Sequence, residues 1–148
     1  MIKVAKLDPR ATLPTRKHAD DVGLDLYFFD WYDDYRHLAV PAHDIRIART
    51  GITVESPPGY FWWITNKSRA NYLVGGGIID NYQGELLVKI VNPTRYPLTF
   101  TLGEAIAQML LLPKHLEQLI ETPLNEIHQT PSARGATGGI LGDPHGRS

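Results

Sequence analysis

The sequence predicts an all-β fold, a sandwich or barrel of short strands of which a jelly roll is one form. Two observations lead to this prediction. Gly and Pro together are 13 plus 11 of 148 residues, about 16% against a usual share of roughly 12%, and such residues limit long helices. Between them lie short runs rich in β-branched and aromatic side chains, which suit a pleated, half-buried surface. We expect at most one short helix.

The predicted elements follow one another along the chain. Apolar runs predict strands at residues 45–47, 51–54, 60–65 and 86–91. Gly103 predicts a turn into a buried strand in which Gln108 is a lone polar residue, and a buried amide needs partners, either backbone groups or a ligand. A short helix is predicted at 116–120 and ends before Pro123.

Composition excludes several classes of function. The chain has 15 basic and 16 acidic residues and a formal charge of -1, so it lacks the overall positive charge that attracts nucleic acid. It contains no Cys, which excludes disulfides, thiolate catalysis and Cys-ligated zinc, and its six His lack the spacing of a zinc motif. No apolar run is long enough for a membrane helix. We therefore expect a single-domain, cytoplasmic protein that binds neither nucleic acid nor a membrane.

Residues 27–35 combine six aromatic side chains with three Asp. Acidic neighbours repel phosphates, and a stacking platform for nucleic acid needs basic ones. We expect this loop to pack on the body of the protein or on a neighbouring subunit.

The segment 75–85 carries the strongest local signal for chemistry. It places Asp80 and Tyr82 in a glycine-rich turn between two apolar strands, and glycines let a ligand approach the backbone closely. Asp80 could orient or deprotonate a water while Tyr82 packs flat against a substrate. The alternative is a β-hairpin whose Asp and Asn only hydrogen-bond the turn.

Two basic segments are candidates for phosphate binding. Lys67, Ser68 and Arg69 place two cations around a hydroxyl, which suits phosphate oxygens, although an ordinary solvated loop has the same composition. The tail segment 134–139 offers Arg134 and glycine amides that could fold over an anion. A disordered terminus is the alternative there.

Taken in order, these segments resemble the five motifs of the homotrimeric dUTP pyrophosphatases (dUTPases), within the superfamily that also contains the dCTP deaminases. Each motif is weak alone, but the ordered set is specific and spans nearly the whole chain. The matching segments are residues 21–27, 66–70, 77–85, 103–108 and the stretch that begins at Arg134.

The resemblance implies a jelly-roll β subunit in a threefold trimer, with active sites built from neighbouring chains. It implies a dUTPase-like β domain over residues 1–130 and a flexible C-terminal arm over 131–148 that closes over the nucleotide. The implied reaction is hydrolysis of dUTP to dUMP and diphosphate, which keeps uracil out of DNA and supplies dUMP for thymidylate synthesis.

The resemblance also implies a role for each matching residue. Asp80 holds the attacking water and contacts the deoxyribose hydroxyl, Ser68 hydrogen-bonds the oxygen between the α- and β-phosphates, and Gln108 binds the phosphate chain or its water. Mg²⁺ is held mainly by the triphosphate, and Asp25 reaches it through a water. Backbone groups before Asp80 read uracil, and Tyr82 lies against the sugar. The implied substrate-binding residues are Lys67, Arg69, Gly77, Ile79, Tyr82, Arg134 and Gly138.

The chain departs from the family pattern at four places. Lys67-Ser68-Arg69 replaces Arg-Ser-Gly, so a forked guanidinium becomes a point charge and a glycine becomes a bulky side chain. The stretch from Ser68 to Asp80 is shorter than usual, and one residue is missing between Asp80 and Tyr82. In the fifth motif Gly138-Gly139 is followed by Ile140 instead of the stacking Phe.

Two other functions are compatible with this fold family. A dCTP deaminase, pure or bifunctional, has a catalytic Glu on the strand after the Asp motif, where this chain has Lys89. A non-catalytic trimer that senses nucleotide or binds a protein partner is the second alternative, and the altered second and fifth motifs leave it open. Five motif residues argue against a non-catalytic trimer, because the chain keeps Asp25, Ser68, Asp80, Tyr82 and Gln108.

Overall fold

The computed structural model describes residues 1–31, 37–136 and 139. Its regular elements are eleven short strands and one 3-10 helix within these residues, so the prediction of an all-β chain is confirmed. The strands are β1 (Val4–Lys6), β2 (Leu24–Tyr27), β3 (His37–Val40), β4 (Ile45–Arg49), β5 (Ile52–Val54), β6 (Tyr60–Thr65), β7 (Leu73–Val74), β8 (Gly77–Ile79), β9 (Leu87–Val91), β10 (Leu98–Thr101) and β11 (Ala105–Pro113).

The strands form antiparallel sheets. A four-stranded sheet has the order β2-β11-β6-β8, a three-stranded sheet has the order β4-β9-β7, and β1-β5 and β10-β3 form two further pairs. The long strand β11 pairs with β2 on one side and with β6 on the other. Its pairing therefore fixes which residues of β2 and β6 lie opposite each other across the sheet.

Alternation along the strands divides the four-stranded sheet into a buried face and an outer face. Trp62, Ile64 and Met109 are buried in the core, whereas Trp63 and Ile78 are exposed on the opposite face. Successive side chains of a strand point to opposite sides, so a run such as 60–65 contributes to both faces. The apolar core therefore holds one face of this sheet, and side chains on the outer face are accessible to a ligand or a partner.

Residue Glu85 connects the loop that follows β2 to the body of the protein. Its carboxylate accepts hydrogen bonds from the Gly51 amide at 2.9 Å and from the Trp31 indole at 3.2 Å, and it pairs with Arg49. Phe28 and Phe29 are buried beside this network. Residues 27–31 thus pack on the body, and positions 32–35 of the predicted aromatic loop lie outside the described residues.

The segment around Asp80 does not form the expected hairpin. Strand β8 pairs with β6, whereas β9 pairs with β4 and β7, so the two strands that flank Asp80 belong to different sheets. The chain also changes sheet at Gly75–Gly77, between β7 and β8. Local composition predicts strands and turns but not which strands pair, and this part of the prediction was wrong.

Residues 1–115 and 116–148 are two separate compact units. In the second unit the predicted helix at 116–120 is wrong: these residues are exposed and have no regular structure, and the 3-10 helix lies at Leu124–Glu126. A helix of two turns without a buried face is not stable by itself. The predicted functional boundary at residue 130 stays a prediction. No helix within the described ranges is long and apolar enough to cross a membrane.

Candidate active site

A cavity of about 290 Å³ opens beside the start of β2. Three segments that are distant in sequence line it, and β11 brings them together because Gln108 pairs with Asp25 on β2 and with Thr65 at the end of β6. The lining residues are Lys17, Asp21, Val22, Gly23, Asp25, Lys67, Ser68 and Gln108. Four predicted site residues, from three of the five segments, therefore share one cavity.

An ion pair between Lys67 and Asp25 crosses this cavity. The Lys67 ammonium lies 2.7 Å from Asp25 Oδ1, and the two side chains are only 32% and 20% exposed. Partial burial strengthens the attraction compared with a fully solvated pair. Asp25 therefore holds the Lys67 ammonium at the cavity.

The amide of Gln108 is fixed by contacts on both of its ends. Its Nε2 donates to the Asn66 carbonyl at 2.8 Å. Its Oε1 lies so close to Gly23 that a Cβ at that position would be 2.1 Å away. Only glycine leaves room for this orientation of the amide.

The loop that carries Lys67 and Ser68 is short but firmly anchored. The Asn66 side chain donates to the Tyr72 carbonyl at 2.8 Å and accepts from the Val74 amide at 2.6 Å, which closes the loop. The buried Tyr72 hydroxyl donates to the Ile106 carbonyl of β11 at 2.7 Å. Burial raises the pKa of Tyr72 to about 12, so the phenol remains a neutral donor at physiological pH.

Asp80 and Tyr82 lie in a second group of residues, beyond β8. Asp80 Oδ1 is 2.5 Å from the Lys114 ammonium at the end of β11. The Tyr82 ring folds over Gly84, where a Cβ would meet the phenolic oxygen at 2.3 Å. The Asp80 side chain is 41% exposed and Tyr82 is 48% exposed, so both are open to a ligand.

An apolar cavity of about 220 Å³ lies beside the glycine crossing from β7 to β8. Strands β7 and β8 are each the edge of their sheet, so each has one side without a strand partner in the described chain. Gly75 and Gly77 line the cavity together with Ile64 and Lys89. The Gly75 and Gly76 amides already donate to the Lys89 and Val74 carbonyls, so the open side of β8 offers the backbone groups that a flat, polar ring could contact.

The backbones beside Asp80 and at Gln108 lie well apart in the four-stranded sheet. Ile79 pairs with Trp62 on one side of β6 and Gln108 pairs with Thr65 on the other. Three residues along the strand and two strand spacings separate the two backbones by about 14 Å. Asp80 does not line the cavity that contains Gln108, so within the described chain the two residues belong to separate groups.

A family model described as dUTPase matches residues 9–139, most of the chain. The chain belongs to the dUTPase family. It is 31% identical to the deoxyuridine 5'-triphosphate nucleotidohydrolase of Gloeothece citriformis, over 93% of this chain and 92% of the relative. It is 30% identical to the enzyme of that name from Mycobacterium marinum, over 93% of this chain and 91% of the relative.

Solved dUTPase structures share the fold. The Staphylococcus bacteriophage 80alpha dUTPase with dUPNHPP aligns with a TM-score of 0.76 at 22% identity and covers 94% of this chain and 96% of its own. The dUTPase from phage phi11 of S. aureus aligns with a TM-score of 0.73 at 19% identity, covering 86% and 99%. Another phi11 dUTPase structure coordinates a structural Mg(II) ion.

The remaining predicted residues lie outside the first cavity of this dUTPase-family chain. Arg69 is exposed next to Ser68, and Gly77 and Ile79 form β8. Arg134 is exposed in the second unit, and Gly138 lies outside the described residues. Their proposed contacts with a nucleotide stay predictions.

Two residues near these groups lie outside the motif segments: Lys17 lines the first cavity, and Lys114 pairs with Asp80. Asp21, which also lines the cavity, and Asn66, which closes the loop, lie within the segments 21–27 and 66–70, but no role was predicted for them. The basic run at 16–18 is a signal that could have suggested Lys17. No sequence signal connects Lys114 to Asp80, since only the strand order β11-β6-β8 brings them together.

The described residues offer a divalent metal ion oxygen ligands but no metal-binding centre of their own. Among residues 1–31, 37–136 and 139, no group of three or more His, Cys, Asp or Glu side chains could hold a metal ion. The cavity contributes the carboxylates of Asp21 and Asp25. Oxygen ligands suit Mg²⁺, which commonly binds through one or two carboxylates plus substrate phosphates. The residues present therefore fit a metal that arrives with a polyphosphate.

Proposed function

We propose that this protein hydrolyses dUTP to dUMP and diphosphate in the cytoplasm, as a homotrimer with active sites shared between subunits. The observation that carries the proposal is the cavity in which Asp25, Lys67, Ser68 and Gln108 meet in a member of the dUTPase family. Two lysines and two aspartates line this cavity, so it suits a phosphate chain that carries a divalent cation.

The first cavity binds the triphosphate. Lys67 and Lys17 neutralise phosphate oxygens, and Ser68 hydrogen-bonds the oxygen between the α- and β-phosphates. The fixed Gln108 amide binds the phosphate chain or its water, so its dipole needs little rearrangement as charge develops on the leaving diphosphate. Arg69 from the adjacent loop and Arg134 and Gly138 from the arm complete the binding of the phosphates.

Asp25 is the residue that would hold a Mg²⁺ ion carried by the triphosphate, through a water molecule, and the ion would supply charge neutralisation. The Asp25 carboxylate faces the cavity while paired with Lys67. A phosphate chain in the cavity would give the Lys67 ammonium new oxygen partners, which would leave Asp25 Oδ1 open to accept a hydrogen bond.

The nucleoside binds the other group of residues, on a neighbouring copy. Asp80 orients and deprotonates the water that attacks the α-phosphorus, and Tyr82 lies against the deoxyribose and excludes a 2'-hydroxyl. The open edge of β8, from Gly77 to Ile79, reads uracil with backbone amides and carbonyls. A fixed pattern of donors and acceptors rejects cytosine because mismatched buried polar groups stay unpaired.

Two observations support the shared site in a trimer. The separation of about 14 Å between the backbones at Ile79 and Gln108, together with the absence of Asp80 from the first cavity, is consistent with a site that a second chain completes. The outer face near Asp80 exposes the apolar pair Trp63 and Ile78, and a neighbouring subunit would bury it.

The experiment that tests the function is a nucleotide panel on the purified full-length protein. We expect release of diphosphate from dUTP in the presence of Mg²⁺, at a rate far above that from dCTP, dTTP or UTP. Chelation of divalent cations is expected to stop the reaction, and added Mg²⁺ to restore it. Ammonia from dCTP would identify a deaminase, and dUTP binding without turnover would identify a sensor; either result would overturn the proposal.

Truncation before Arg134 is expected to reduce kcat for dUTP severalfold, because it removes a cation and the glycine amides from the phosphate site. The measurement is steady-state turnover of the chain that ends at residue 133, with circular dichroism to show that the β-rich unit 1–115 is retained. An unchanged rate would show that the arm is dispensable in this protein.

A further inference from the structure

We propose that Lys114 is a positioning residue that holds the Asp80 carboxylate in its reactive orientation, an inference that rests on the proposed function. The Lys114 ammonium is 2.5 Å from Asp80 Oδ1. Oδ2 is then the oxygen that can face the attacking water. A carboxylate has two acceptor oxygens, so a cation on one leaves the other to take a proton.

The backbone of Lys114 is fixed by the strand beside it. Its amide donates to the Gly59 carbonyl at 2.8 Å, and Pro113 pairs with Tyr60 at the start of β6. Gly59 has a φ of 83°, in the left-handed region that favours glycine, within the turn that leads into β6. The ammonium therefore projects from a defined point of the sheet instead of from a free chain end.

Asp80 is held against the same strand from the opposite side. Ile79 pairs with Trp62 of β6, and the Trp62 side chain is completely buried in the core. The ion pair thus crosses β6 and connects two rigid neighbours, β11 and β8. Catalytic groups need this kind of support because a misplacement of about 1 Å can lower a rate by roughly 10²-fold.

Burial distinguishes this contact from ordinary surface ion pairs. The Lys114 side chain is 18% exposed and that of Asp80 is 41% exposed, whereas Lys3 and Glu55 form a pair at 3.7 Å with side chains that are 81% and 68% exposed. Exposed pairs hold their side chains weakly because water screens them. Among the described residues, the ion pair with Lys114 is the contact that fixes the Asp80 carboxylate.

The test compares Lys114→Gln and Lys114→Arg with wild type in the full chain. Lys114→Gln removes the charge, and we expect kcat for dUTP to fall about tenfold while KM changes less than about twofold, because the base is misaligned but substrate binding is not. Lys114→Arg keeps a cation and is expected to recover most of kcat. Arg46→Gln is the matched control, since it breaks an ion pair of 2.7 Å with Asp44, which is remote in sequence from the motifs.

Each outcome has a definite reading. Wild-type kcat in Lys114→Gln, or a raised KM with unchanged kcat, would overturn the positioning role. A loss of activity with a lower melting temperature and no rescue by Lys114→Arg would show a purely structural contact and would overturn it too. If the wild-type protein is active and Asp80→Asn is not, these results concern Lys114 alone, whereas an inactive wild-type protein would overturn the proposed function itself.

Discussion

Replacement of Asp80 by Asn is expected to lower kcat for dUTP by about 10³-fold, within the range that a positioned general base contributes. The amide cannot accept the proton of the attacking water, while its shape preserves the packing beside β8. The Asp80 side chain is 41% exposed, so we expect the melting temperature to change little. Diphosphate release at saturating dUTP and thermal unfolding of the same preparation measure both quantities.

The matched control is Asp44→Asn. Asp44 is also an exposed Asp in an ion pair, and its partner is Arg46. A hydrogen bond from the Ile45 backbone amide and the contact with Arg46 keep the pKa of Asp44 below its usual value. It contacts neither candidate cavity in the described chain. Equal activity of Asp80→Asn and wild type would contradict the assignment of the base and with it the site around Tyr82.

The same variant can test whether the site is shared. If Asp25 and Asp80 of one site come from different subunits, trimers assembled from equal amounts of Asp25→Asn and Asp80→Asn chains contain some sites in which both residues are native. Random mixing leaves about a quarter of the sites intact, so the mixture is expected to recover activity that neither variant has alone. Recovery of no activity from verified mixed trimers would contradict the shared site.

Replacement of Gly23 by Ala is expected to lower kcat about a hundredfold without unfolding the protein, in the range reported for loss of a preorganised polar group. The new Cβ would lie 2.1 Å from Gln108 Oε1 and must displace the amide. The end of a flexible side chain moves easily, so stability changes little, but the amide loses its orientation toward the phosphates. Steady-state kinetics and thermal unfolding of the variant separate the two effects.

A double-mutant comparison gives this prediction its control. In the Gln108→Ala background only the Cβ of residue 108 remains, and it would lie 3.7 Å from the new methyl group, which is ordinary van der Waals contact. Gly23→Ala should therefore have almost no further effect on the rate in that background. An additional hundredfold loss there would show that Gly23 acts through the backbone and not through Gln108.

Much of the fold follows from local sequence. The runs at 45–47, 51–54, 60–65 and 86–91 became strands because their β-branched and aromatic side chains fit a half-buried sheet. The convergence of Asp25, Lys67, Ser68 and Gln108 agrees with the motif comparison, since β11 pairs with both flanking strands.

The rest depends on contacts between distant segments, which one-dimensional patterns do not contain. The pairing of β8 with β6, instead of a hairpin with β9, is set by the core residue Trp62 and by the crossing at Gly75–Gly77. The same pairing brings Lys114 to Asp80. The segment 116–120 has helix-forming composition but no surface that would bury one face, so propensity alone predicted it wrongly.

The open edges of β7 and β8 have a consequence for how selectivity can change in evolution. A recognition surface made of main-chain amides and carbonyls keeps its hydrogen-bonding groups after most point substitutions, because every residue type except proline presents the same groups. Its geometry changes when residues are inserted or deleted nearby. The motif comparison predicts one residue fewer than the family pattern between Asp80 and Tyr82, so drift in base preference is expected to follow changes in loop length more closely than changes in side chains.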